Sequence, residues 1–272
     1  MYMENGGKSI TRVKIYRCGY CKNNLAHVFK HQKREERIFP ALAVLIQHKI
    51  YGNILYDSGY SELIYKNHLL SFLYNAVNQT FITSSDTILS KLQKDGIGSD
   101  SIKRVILSHA HPDHIGGLRF FHDYTLISTE KVIHTLKKGN ALNLVFRNMV
   151  PGQDIKYSFV KHMEGATLFD GYFEKIYDVL GDGSILGIEL NGHADGQLGI
   201  YLPDYNLLFA ADACWGADLL CKVKEMRFVA KRIQNQYREY VNTAMKMERF
   251  VKDHPDIKII YSHDNMEEAA YE

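Results

Sequence analysis

Apolar residues run through 13–16, 41–46 and 54–56, and Gly52-Asn53 separates the last two runs, which predicts a strand followed by a β-hairpin. Residues 86–95 place Ile88, Leu89 and Leu92 on one helical face, with Ser85 or Asp86 as cap and Gly96 as stop, so a short helix is expected there. The compact run Val105-Ile106-Leu107 reads as a buried strand that delivers polar groups at its C-terminal edge. A strand at 125–127 and a helix at 130–137 follow, and this alternation implies α/β layering. Residues 185–190, 198–202 and 207–211 predict a three-stranded meander, with Pro203-Asp204-Tyr205-Asn206 turning between the last two. Tyr237, Tyr240, Val241, Ala244, Met245, Phe250 and Val251 recur at helical spacing, predicting a long helix on the core before a final strand at 257–261. Weak periodicity over 139–183 predicts a pocket-shaping insertion in what is otherwise a single domain across 1–272.

Composition narrows the class. Apolar residues make up 46 % of the chain and charged residues 24 %, ordinary values for a globular protein with a sizeable core. Lys and Arg number 33 against 31 Asp and Glu, and no Lys/Arg block stands alone, so no nucleic-acid partner is expected. The most basic stretch, 30–37 with Lys33 and Arg34, also holds Glu35 and Glu36 and reads as a solvated face. The longest apolar run, 39–46, falls far short of the ~20 residues that cross a bilayer. Residues 1–17 lack the apolar segment of a secretory signal, and four cysteines at 18, 21, 214 and 221 are too few for a disulfide scaffold, which together predict a cytoplasmic location. Cys18-Gly19-Tyr20-Cys21 has no second pair at zinc-finger spacing and reads as a turn after the first strand.

The chemistry concentrates in Ser108-His109-Ala110-His111-Pro112-Asp113-His114-Ile115-Gly116-Gly117. Three imidazoles and a carboxylate directly after a strand form a ligand set that suits zinc, and also iron or manganese. Pro112 restrains the turn, while Gly116-Gly117 lets the next backbone pack closely. His193, Asp212 and His263 each follow a predicted strand and are further candidate ligands. The other histidines, His27, His31, His48, His68, His122, His134, His162 and His254, lack that context and are assigned to the surface or a pocket.

The His-x-His-x-Asp-His motif and the later order His, Asp, His resemble the metallo-β-lactamase superfamily of hydrolases. Within it, Asp212-Ala213 and Tyr261-Ser262-His263-Asp264 are similar to the N-acyl homoserine lactonase group. The resemblance implies a four-layer αββα sandwich and two divalent metal ions, most simply zinc. It implies that His109, His111 and His193 hold one ion, that Asp113, His114 and His263 hold the other, and that Asp212 bridges them. Asp57, in Leu55-Tyr56-Asp57-Ser58-Gly59, would fix a ligand imidazole by accepting its second N–H. A hydroxide shared by the two ions would be the nucleophile, with Asp113 orienting it as the catalytic carboxylate, to open a lactone or ester in a small acyl-type substrate. Two positions depart from the pattern. Gln197 stands where a second histidine is usual, and Trp215 stands where the lactonases carry tyrosine, offering an aromatic wall to substrate. Two rival readings remain open: a mononuclear iron dioxygenase of sulfur compounds on the same fold, and a non-catalytic metal-binding accessory protein.

Overall fold

The computed structural model describes residues 7–66, 68–139, 143–152, 154–165 and 167–272, without the side chain of His68. The surface assignment of that histidine, residues 1–6 of the amino-terminal reading and residues 140–142, 153 and 166 of the predicted insertion lie outside this set.

The first sheet is built from β1 (Ile10–Asn24), β2 (Glu36–His48), β3 (Gly52–Tyr56), β4 (Gln79–Phe81), β5 (Ile102–Ile106), β6 (Thr125–Ser128) and β7 (Lys156–Phe159). The second contains β8 (Lys161–His162), β9 (Ile176–Asp178), β10 (Leu186–Glu189), β11 (Leu198–Leu202), β12 (Leu207–Phe209) and β13 (Lys258–Ile260). A last strand, β14 (Ala269–Tyr271), returns to the first sheet, whose order is β14-β1-β2-β3-β5-β6-β7 with β4 on β1. The second sheet runs β13-β12-β11-β10-β9-β8. Helices α1 (Leu25–Val28), α2 (His68–Val77), α3 (Ile88–Lys94), α4 (Pro112–Ile115), α5 (Glu130–Lys138), α6 (Phe228–Ile233) and α7 (Tyr237–Asp253) complete the chain with several short 3₁₀ turns.

Period-two alternation on β2 separates the apolar layers. Leu42, Val44 and Ile46 point between the sheets and meet Ile200, Leu202 and Phe209, whereas Ala41, Ala43 and Leu45 face the helix layer holding Ile88, Leu92, Val132 and Leu136. On the far side of the second sheet, α7 presents Tyr240, Ala244, Met247 and Phe250 to Ile188, Leu190 and Leu208. Three apolar layers between four layers of secondary structure make the αββα sandwich, held mainly by the removal of this surface from water.

The hairpin, the strand after α3, the meander and the long helix occur where the pattern places them. Three details differ. The expected final strand is followed by β14, which pairs Val13 with Tyr271 and Ile15 with Ala269; its three residues are too few to show a period. Cys18 to Cys21 form no turn after the strand, because β1 continues through them to Asn24 with a register shift between Arg17 and Tyr20, where Gly19 takes a φ of 80°. Residues 139–183 contribute β7 to the edge of one sheet and β8 and β9 to the edge of the other.

Candidate metal centre

The seven clustered residues lie in segments that follow the C-terminal ends of strands, on one edge of the sandwich. β5 leads into His109 and His111, and Pro112 opens α4, which turns Asp113 and His114 to the same side. This loop docks on the turn after β3: Ser58 N–H donates to His114 O at 2.8 Å, and Gly116 N–H donates to Gly59 O at 2.9 Å. The approach requires glycine at 116, where a Cβ would lie 2.5 Å from Gly59 O. His193 follows β10, Asp212 follows β12 and His263 follows β13. Gly192, at a φ of 120°, lets α7 close over His193, since a Cβ there would meet Tyr240 N at 2.1 Å.

The ligand atoms fall into two groups, His109 with His111 and His193, and Asp113 with His114, Asp212 and His263. His111 Nδ1 lies 3.1 Å from His109 Nε2 and 2.9 Å from His193 Nε2. His263 Nε2 lies 3.1 Å from Asp212 Oδ2 and 3.4 Å from Asp113 Oδ2. Asp212 Oδ2 is also 3.2 Å from His193 Nε2, so this carboxylate stands between the groups. The residue before it, Ala211, is held at a φ of 46° in the left-handed region, a strained placement of the kind that clusters at working sites.

Outer partners orient the rings. Asp57 Oδ2 accepts from His114 Nδ1 at 2.7 Å, Gln234 Oε1 from His193 Nδ1 at 2.7 Å, and Pro40 O from His263 Nδ1 at 2.7 Å. Each bond leaves the opposite nitrogen, Nε2, directed at the cluster. Asp57 is itself fixed by Ser108, whose N–H and hydroxyl donate to its two oxygens at 2.8 and 2.7 Å.

Burial is the largest influence on His109, His111 and His193 and holds all three pKa values below the ordinary imidazole range, leaving neutral ligands. Burial also pushes His263 and His114 down, but the carboxylates outweigh it: Asp212 and Asp113 raise His263 to about 9, and Asp113, Asp57 and Asp212 carry His114 well above its usual value. Burial pushes Asp212 up, and the surrounding His263, His193 and His114 overcome this and drive it well below the usual carboxylate range. His114 Nε2 and Asp212 Oδ1 are fully buried and have no hydrogen-bond partner among the described residues. The two atoms face each other at 3.5 Å amid imidazoles and carboxylates, and once His114 gives up its Nε2 proton both offer a lone pair to a divalent cation. The cluster is suited to two metal ions.

Above it lies a narrow cleft lined by Phe39, Tyr60, Tyr74, Leu144 and Trp215. Trp215 stands edge-on to Phe39 and to His193, each at 6.3 Å between ring centroids. Tyr60 and Tyr74 share a 2.8 Å hydrogen bond between hydroxyls. Sequence reasoning missed Gln234, Tyr60 and Tyr74; only Tyr60 carried a signal, as the neighbour of Asp57-Ser58-Gly59. Gln197 is buried and donates to Leu190 O at 3.0 Å, and Asp195 pairs with Lys131 at 2.8 Å. Cys18 is buried among the helix-side residues of the first sheet and Cys21 lines the cleft, both as free thiols. Cys214 is buried with its Sγ on Gly216 O at 3.2 Å, and Cys221 is exposed.

The sequence profile of the metallo-beta-lactamase superfamily matches residues 37–253, which contain all seven clustered ligands and Asp57 except His263. The chain belongs to the metallo-beta-lactamase superfamily. Among curated proteins it resembles cytochrome P450 monooxygenase mpaDE′ of Penicillium brevicompactum, with 32 % identity over 163 residues, covering 54 % of this chain and 19 % of that protein. It also resembles mpaDE of Penicillium roqueforti, with 28 % identity over 151 residues, 50 % of this chain and 17 % of the other. The matched segment thus spans less than a fifth of these relatives' length. Among solved structures, a quorum-quenching N-acyl homoserine lactone hydrolase superposes with a TM-score of 0.71 at 17 % identity, covering 96 % of this chain and 95 % of that one. The dizinc quorum-quenching lactonase AidC superposes at 0.63 with 16 % identity, covering 96 % and 90 %. At these identities the likeness is one of fold. As a metallo-beta-lactamase superfamily member the chain carries the hydrolase scaffold with a candidate metal site, and among its described residues no helix is long and apolar enough to cross a membrane.

Proposed function

We propose that the chain is a hydrolase dependent on two metal ions that opens a lactone or ester bond in a small acyl-type substrate. The observation that carries this reading is the pair of ligand groups joined through Asp212 at the floor of an aromatic-walled cleft. His109, His111 and His193 would hold one ion, Asp113, His114 and His263 the other, and Asp212 both. Bound there, two cations would lower the pKa of a shared water and polarise a substrate carbonyl; zinc suits the donors, which also accept iron or manganese. Asp113, at the mouth side of the cluster and in the cleft wall, has a carboxylate oxygen available to orient the attacking water. Trp215 and Phe39 give the substrate an apolar face beside the cluster and exclude bulk water from it. A single-iron oxygenase centre would leave the second group without a task, so two ions are the better reading. Two of the lactonase neighbours are described with the product N-hexanoyl-L-homoserine bound, and this likeness supports a small acyl-type substrate here. Four free thiols support a reducing compartment such as the cytoplasm.

The test is metal content by elemental analysis, followed by turnover on a panel of lactones, esters and thioesters. Near two ions per chain, with turnover lost in Asp113→Ala and metal lost in His109→Ala and His263→Ala, is the expected result. No metal-dependent turnover on any member of the panel would sink the reading.

A further inference from the structure

The mouth of the cleft has a feature that small-substrate hydrolysis leaves without a role. α2 contains no charged residue, and Leu69, Phe72, Leu73 and Val77 recur along it at helical spacing, exposed by 72, 71, 54 and 43 %. Its opposite face buries Ser71 and Tyr74, so the exposed stripe is a second apolar face on a helix already docked. Across a groove from α2, α6 begins with Phe228 and Val229, exposed by 74 and 54 %. Val77 and Val229 both line that groove, which shares Asn23, Asn78, Trp215 and Ile233 with the cleft above the ligand groups. The apolar lips therefore flank the way in to the candidate metal centre.

Charge surrounds one lip. The segment carrying α6 holds Lys222, Lys224, Arg227, Lys231 and Arg232 against Asp218 and Glu225, and Asp218 is taken up by Arg37. The fold brings a second basic stretch alongside: Lys30 N–H donates to Glu225 O at 2.8 Å, Arg227 N–H donates to Val28 O at 2.8 Å, and Phe29 bridges to Met226. Lys33 and Arg34, a solvated face when viewed alone, thus join one basic surface with α6. Glu36 is paired with Lys22, leaving Glu35 and Glu225 as its acidic members. None of Lys30, Lys33, Arg34, Lys224, Arg227 or Lys231 pairs with a carboxylate among the described residues, and Arg232 lies over the Phe228 ring.

We propose that this face docks on an anionic lipid bilayer, with α2 and the start of α6 seated among the acyl chains and the basic residues against the headgroups. Exposed phenyl and aliphatic side chains beside unpaired lysines and arginines form the pattern of a chain that lies on a membrane without crossing it. The aliphatic stripe on α2 distinguishes the surface from an RNA site, which would pair basic groups with stacking rings. A patch of this extent is also more than scattered surface hydrophobes explain. Docked this way, the groove opens toward the lipid phase, so an amphiphilic ester or lactone would reach the cleft without passing through water; this corollary rests on the proposed hydrolase function, and the docking does not.

The experiment is co-sedimentation of the full chain with phosphatidylcholine vesicles, with and without phosphatidylserine, at low and high salt. Binding is expected only with phosphatidylserine, and it should weaken as salt rises. Lys231→Gln and Arg232→Gln should each reduce partitioning about fivefold, and Phe72→Ser with Phe228→Ser should abolish it while melting temperature and metal content stay at wild-type values. These positions are exposed, so the variants should fold. Equal sedimentation of the Phe72→Ser, Phe228→Ser variant, or none of the wild type with either vesicle, would overturn the proposal. So would a dimer that the same two substitutions dissociate, or retention on RNA in place of vesicles. Because binding is read without turnover, a failed substrate panel and a failed vesicle assay are separate results.

Discussion

Asp57 holds the Nδ1 of His114 at 2.7 Å from its Oδ2 and does so from a left-handed backbone with a φ of 57°. The strain is retained because the same carboxylate accepts from Ser108 N–H and hydroxyl. Asp57→Asn keeps the shape and removes the charge and one acceptor. Metal affinity of the group containing His114 should fall about 10- to 100-fold, read by competition with a chelating dye, with the fold intact by circular dichroism. Unchanged affinity would show that Asp57 acts only on the turn.

Gln234 plays the matching part for His193, and its amide donates to Ala230 O at 3.0 Å, which fixes which end faces the ring. Gln234→Ala should weaken metal binding at the His109 group and spare the Asp113 group. Loading with one equivalent and then two, followed by elemental analysis, separates the two affinities.

Gly192→Ala places a Cβ 2.1 Å from Tyr240 N at a φ that alanine avoids. Displacing α7 should cost about 3 kcal/mol or more of stability and carry His193 out of reach. Denaturant unfolding checks the first consequence and metal content the second.

His263 is raised to about 9, so at neutral pH in the metal-free chain it carries a proton, as does His114. A metal needs these nitrogens neutral, and uptake should therefore release protons and tighten as pH rises toward 9. Calorimetry in buffers of different ionisation heat reads the release directly. In the metal-free chain the sign is opposite. The raised His263 stabilises the fold fully below its unfolded value near 6.5, and that contribution is lost as pH climbs through about 9.

Trp215→Ala removes a half-buried aromatic wall and its edge contact with the His193 ring, but no candidate ligand atom. KM for acyl substrates should rise about tenfold, in keeping with the loss of one aromatic contact surface, with metal content unchanged. A fall in kcat alone would instead place the indole in the chemical step.

The clustering of the candidate ligands was legible because each follows an apolar strand in a motif whose spacing survives folding, from His109 to His114 and at His193, Asp212 and His263. Of their hydrogen-bond partners only Asp57 was, since Gln234 and Pro40 reach the cluster from the end of α6 and from β2, far away in sequence. The sandwich layers followed from alternation on β2 and the helical period of α7. β14 escaped because three residues carry no period and gain their place only by pairing with β1. The Cys18 to Cys21 stretch misled because a glycine that marks a register shift inside a long strand resembles one that ends it.

The sources of the ligands have a consequence for the chain's lifetime in a cell. His109, His111, Asp113 and His114 hang from the first sheet, and His193, Asp212 and His263 from the second. Under the proposed assignment, bound ions rivet the two sheets together at one edge, and whatever binds only the folded form stabilises it by mass action. Metal starvation would leave the three apolar layers in place but free that edge to open, exposing the strand-end loops to proteases. Scarcity would then register first as a faster turnover of the polypeptide.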